Sequence, residues 1–171
     1  MFLKFALSAT TRQSFLFLLT PLLTLAMSSS AQNAGNQMLA ARWFECVAAR
    51  DTVALASFYA DTARIESPNW ESEKRGPAAI HEMYSRYFTS SPDLVHHATS
   101  IFTNEHAIVV EYTFAGTMAN PEKSAPAYMK GKKYVLKACS RMDVWNGKIT
   151  AQSFYFDQAA FLRQVGFFEQ H

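Results

Sequence analysis

Cysteine is scarce: the 171 residues contain two, Cys46 and Cys139. Two thiols cannot build the framework that staples small secreted folds. Helical periodicity surrounds Cys46 and strand periodicity surrounds Cys139, so two separate, unbridged thiols are expected. A bridge would require their Cα atoms to lie within about 7 Å. Neither belongs to a CxxC or has a nearby histidine, which leaves redox and metal chemistry without ligands. Net charge is equally sparse. Taking Lys4 and Arg12 from the 16 basic residues leaves 14, against 14 acidic ones, so the formal +2 belongs to the first residues. A neutral domain has no electrostatic footprint for nucleic acid. Lys130, Lys132 and Lys133 cluster beside Gly131 and read as a solvated loop. No HExxH, Gly-rich phosphate loop or nucleophile elbow occurs. No metal and no cofactor is expected.

Residues 1–31 read as an export signal. Lys4 and Arg12 form a positive start, and the apolar run Phe15 to Met27 is 13 residues long. Ser29 and Ala31 are small enough for a cleavage site before Gln32. A bilayer core needs roughly 20 residues, so the run alone is too short to span one, and the alternative of an uncleaved anchor must draw on the apolar length of Phe2 to Ala9 as well. An exported protein, in the periplasm or secreted and free of the membrane after cleavage, is the expectation. The mature chain then holds 140 of the 171 residues, the size of one domain. A short linker is expected over residues 32–38, a domain over 39–166 and a tail over 167–171.

Apolar residues at helical spacing predict a helix over Met38 to Arg50. Asp51 can cap a second helix in "TVALASFYA", before a short strand in "ARIESPNW" that stops at Pro68. Gly76-Pro77 opens a third helix, with Ile80, Tyr84, Tyr87 and Phe88 as its buried stripe. The period then switches from 3.6 to 2. Leu94–Phe102, His106–Thr117, Lys133–Trp145 and Lys148–Phe156 read as strands. Asn146-Gly147 is a hairpin signal, and Met118 to Gly131 is a long loop. Asp157 caps a final short helix that ends at Gly166. Three helices followed by an antiparallel meander make an α+β order.

Alternation separates the faces of the strands. Ile108, Val110, Tyr112 and Phe114 form an inner row, as do Tyr134, Leu136, Ala138, Ser140, Met142 and Val144. Glu111, Lys137 and Arg141 belong outside. His96 and His97 point to opposite faces, so at most one reaches the interior and the pair cannot chelate one metal. The chain also holds 14 Phe, 3 Trp and 7 Tyr, more than a core of this size needs. That surplus fits a lined cavity.

The segments "RGPAAIHEMYSRYF", "SPDLVHHATSIFTNEHAIVVEYTFAGT" and "MDVWNGKITAQSFYFDQAAFLRQVG", in this order, resemble the SnoaL-like polyketide cyclases. These belong to the nuclear transport factor 2-like superfamily, which also holds the ketosteroid isomerases. The resemblance covers Leu39 to Gly166. It implies a cone: a curved, mostly antiparallel sheet packed on three N-terminal helices, with an apolar pocket at its mouth and often a dimer through the sheet. In the cyclases an Asp of the last strand does the acid/base work, three residues before the Asp that opens the final helix. That position here is Phe154. A pocket histidine of the preceding strand falls on Ser140. Both ionisable groups are missing. Phe cannot abstract a proton, and a serine without a base is a poor substitute.

Two ligand-directed classes stand at this point, beside a third, a dimeric interaction module whose pocket is vestigial. The first is a protein that binds a small hydrophobic molecule, using Asn69, Trp70, Tyr84, Tyr112, Phe114, Ser140, Met142 and Phe154. The other is a cofactor-independent isomerase, cyclase or hydrolase that has moved its acid/base group. Glu66 and Asp157 are the candidates for that group. Glu66 is a base if Trp70 encloses it and a rim carboxylate if Arg64 or Lys74 pairs with it. Asp157 is either a helix cap or a catalyst.

Overall fold

The computed structural model describes residues 20–68, 72–123 and 125–169. Residues 1–19, with most of the expected signal, and Asn69 and Trp70 lie outside the described residues. The first helix, α1, runs Thr20–Ala49 and so begins well before Met38. The stretch expected as a linker, 32–38, is helical and docked. Asn36 is buried and its Nδ2 donates to the Asn104 carbonyl at 2.7 Å. Thr103 Oγ1 donates to Asn33 Oδ1 at 2.6 Å. These anchors are polar, so hydrophobic periodicity carries no trace of them. Among the described residues no helix is long and apolar enough to cross a membrane.

Arg50 ends α1 in a left-handed conformation, with φ 59°. Asp51 then accepts from Ala54 N and opens α2, Thr52–Ala56. This helix is shorter than "TVALASFYA" suggests, because Tyr59 and Ala60 already belong to strand β1, Tyr59–Glu66. A two-residue strand β2, Lys74–Arg75, precedes α3, Gly76–Ser90. Gly76 sits at φ +73°, and a Cβ there would meet the Asp61 carbonyl oxygen at 2.8 Å. Only glycine fits this junction.

The remaining strands are β3 Val95–Thr103, β4 Ala107–Thr117, β5 Lys133–Trp145 and β6 Lys148–Phe156, followed by α4, Gln158–Gln164. Both Asn146 and Gly147 have positive φ, at 49° and 71°. That is the primed turn whose twist suits an antiparallel hairpin. The sheet order is β2-β1-β6-β5-β4-β3, with β1 parallel to β6 and all other pairs antiparallel. The architecture is α+β, a mostly antiparallel sheet packed on helices, as expected; the parallel β1–β6 pair makes the six-stranded sheet mixed.

The expected faces hold. Along β5 burial alternates residue by residue: Leu136, Ala138, Ser140, Met142 and Val144 are buried while Lys137 and Arg141 are exposed. Tyr112 is buried and Glu111 exposed on β4. The main core sets Trp43, Leu55, Ile80 and Tyr84 of the helices against Ile65, Ile108, Val110, Met142 and Ile149 of the sheet. A smaller cluster of Leu94, Tyr134, Leu136 and Val165 lies beneath α4. Both cysteines are free, and burial pushes both thiol pKa values up.

Candidate functional site

Between α3 and the inner face of the sheet lies a cavity of about 270 Å³. Helix α3 supplies Met83, Tyr84 and Tyr87 to it; the strands supply His96, Tyr112, Phe114, Tyr134, Phe154 and Phe156. Leu94, Phe161 of α4 and Met118 of the loop after β4 add to the apolar wall. Arg86 and Glu122 also line it and are exposed, which marks the mouth. Arg86 Nε donates to Glu122 Oε1 at 2.6 Å, tying α3 to the long loop. Asn120 N donates to the Ser90 carbonyl at 3.0 Å and secures the same loop.

Strand register brings the aromatic rings together. His96 pairs with Phe114 across β3 and β4, and Phe114 pairs with Leu136 across β4 and β5. Phe114 stacks on His96, with centroids 5.9 Å apart and 20° between planes. Tyr112 lies 5.5 Å from the same imidazole and Tyr84 6.2 Å. Phe156 meets Phe114 edge-on at 5.7 Å.

Burial controls the chemistry of the polar groups in this wall. It pushes the hydroxyl pKa values of Tyr84, Tyr112 and Tyr134 upward, so all three stay protonated. Burial lowers the His96 pKa to about 4, so the ring is neutral near pH 7. Among the described residues, His96 Nδ1 is the one buried side-chain polar atom without a hydrogen-bond partner.

Of the residues expected in the site, Tyr84, Tyr112, Phe114 and Phe154 line the cavity. Ser140 and Met142 face inward but do not line it. Ser140 Oγ accepts from Gln152 Nε2 at 2.6 Å, Gln152 Oε1 accepts from Tyr59 OH, and Tyr59 OH accepts from Trp43 Nε1 at 3.0 Å. Ser140 thus belongs to a buried polar chain of the core, and Met142 packs in that core beside it. Glu66 is exposed and turned from the cavity; it accepts a long bond, 3.3 Å, from Ser153 Oγ on the outer face of β6. Strand alternation sends Ile65 in and Glu66 out. Asp157 is the cap of α4, accepting from Ala160 N at 2.8 Å. Its carboxylate is exposed and committed to the helix. Sequence reasoning passed over Tyr134 as a lining residue and left open which of His96 and His97 enters. The parity of β3 relative to Phe114 was the available signal: His96 enters and His97 is exposed.

A SnoaL-like domain model matches residues 40–152, and the chain belongs to the SnoaL-like domain family. No curated protein matches it in sequence. Among solved structures, it is similar to a protein named for the SnoaL-like polyketide cyclases, from Jannaschia sp. CCS1. That match has 14% identity and a TM-score of 0.68 over 78% of this chain and 92% of that one. TsrD from Streptomyces laurentii matches at 19% identity and TM-score 0.67, over 78% of this chain and 96% of that one. A third has a ketosteroid isomerase-like fold and was solved with trimethylamine. It comes from Catenulispora acidiphila DSM 44928, at 15% identity and TM-score 0.61, over 75% of this chain and 92% of that one. At these identities the likeness concerns the fold.

Proposed function

We propose that this protein is exported and binds a small, uncharged hydrophobic molecule in the cavity between α3 and the sheet. The observation that carries the reading is the wall itself: an aromatic-lined space with Phe154 where the family's acid would stand. Pockets for small molecules combine an apolar lining with a few placed polar groups, and this one has that composition. An engineered cavity of roughly 150 Å³ holds a benzene ring. At about 270 Å³, two fused rings are the size favoured here.

Acid/base catalysis of the cyclase type has less support. Phe154 cannot exchange a proton, Ser140 is held by Gln152, and Glu66 and Asp157 lie elsewhere. Among the described residues, the carboxylate that lines the cavity, Glu122, is at its mouth and paired with Arg86. Export rests on the leader and on the small residues before Gln32. Exposed Val95, Val135 and Tyr155 on β3, β5 and β6 favour a homodimer through the sheet. Native mass spectrometry of protein purified from its own host tests the binding reading. A co-purified small apolar molecule is expected. Uniformly empty protein that also binds no two-ring hydrocarbon on titration would overturn it.

A further inference from the structure

His96 is a polar group where apolar ones surround it. Its ring lines the cavity, lies against Phe114, Tyr112 and Tyr84, and leaves Nδ1 enclosed without a partner. A buried polar atom with no hydrogen bond is destabilising, and native chains keep few of them. A phenylalanine at this place would fill similar space without that cost. The imidazole therefore calls for a role.

Proton placement narrows the role. A neutral imidazole carries one N–H and one lone pair. An orphaned buried N–H is the rarer and costlier case, so the enclosed Nδ1 takes the lone pair and Nε2 takes the proton. The cavity-lining tyrosines are also protonated, and Tyr134 OH is already spent on Ser91 Oγ at 2.9 Å. A general base works best with a pKa near the working pH. His96, at about 4, lies well below that and suits hydrogen bonding better than proton abstraction.

We infer that His96 is the polar recognition residue of this cavity, and that its Nε2–H donates to the carbonyl oxygen of an uncharged ligand of two-ring size. The inference rests on the binding reading above and adds the ligand's chemical class to it. Charged ligands are disfavoured because, among the described residues, the charged groups lining the cavity are Arg86 and Glu122, which neutralise each other at the mouth. Ring ketones fit; plain hydrocarbons leave Nε2–H without an acceptor, and an alcohol brings an O–H that needs an acceptor of its own.

Three probes of one shape separate the outcomes: tetralin, α-tetralone and α-tetralol, titrated into the purified full chain and its His96→Phe variant. One hydrogen bond to a buried group corresponds to roughly five- to tenfold in affinity. Wild type is expected to prefer the ketone over the hydrocarbon by about that factor, and His96→Phe to bind both alike. A ketone preference that survives in the variant, or a wild type that favours the alcohol or shows no preference, would overturn the role of His96. The binding reading would then still stand. If wild type binds none of the three, both fall together. Should His96→Phe fail to fold, His96→Leu is read in the same way. If neither folds, nitrogen NMR of wild type decides: burial lowers the His96 pKa to about 4, so its ring is neutral at pH 5. Its ring resonances must move on adding α-tetralone, and unmoved resonances with bound ketone overturn the inference.

Discussion

His96 and Phe114 face each other across β3 and β4, and their rings stack at 5.9 Å with 20° between planes. The pair ties the sheet's register to the chemistry of the cavity. A one-residue slip of β3 would send His97 inward and take His96 into solvent.

Acid stability should report on this burial. The folded-state pKa of His96 is lowered from 6.5 to about 4 by desolvation. Between those values the unfolded chain binds more protons than the folded one, so stability falls as pH falls. The loss begins near pH 6.5 and is complete near pH 4, where both states are protonated. Its size is at most about 3 kcal/mol. The facing Tyr84 and Tyr112 stay neutral throughout this window. Urea midpoints at pH 7 and 4.5 should therefore draw closer together in His96→Phe than in wild type. An identical shift in both proteins would contradict the burial of a neutral ring.

Phe154 is half-buried on the cavity wall. Truncating a fully buried phenylalanine costs about 3–5 kcal/mol, so Phe154→Ala should cost about half of that. Affinity for a two-ring hydrocarbon should drop with it. Chemical denaturation and one titration check both; unchanged values would remove Phe154 from the wall.

Ser140 offers the opposite pattern. Ser140→Ala strands Gln152 Nε2 in the core, and an unsatisfied buried donor costs about 1–3 kcal/mol. Ligand affinity should stay as in wild type, because Ser140 does not line the cavity. A variant with native stability and lost binding would move Ser140 back into the site.

For Asp157 the expectation is purely structural. Asp157→Ala removes the cap on Ala160 N and should cost about 1 kcal/mol, with ligand affinity unchanged. Thermal unfolding beside a titration separates a cap from a catalyst.

Much of this architecture was legible from local patterns. β5 and β6 begin and end where the alternation and the Asn146-Gly147 turn place them. Both aspartate caps do as well. What escaped depends on distant partners. The parallel pairing of β1 with β6 joins Arg64 to Ala151, and no sequence periodicity encodes it. The early start of α1 relies on Asn33 and Asn36 reaching Thr103 and Asn104, polar contacts that hydrophobic patterning ignores. Ser140 shares its inward row with the lining residues, yet Gln152 claims it from the neighbouring strand. His96 was half legible: alternation showed that one of two histidines enters, and only the pairing with Phe114 says which.

The most direct test of the cavity is methionine-methyl NMR of the full chain titrated with tetralin. Met83 and Met118 line the cavity, Met142 is buried in the core away from its wall, and Met38 is exposed on α1. Saturable shifts at Met83 and Met118, small ones at Met142 and none at Met38 are the predicted result. Resonances of Met83 and Met118 that stay fixed at saturating ligand, or shifts centred on Met38, would contradict a binding site between α3 and the sheet.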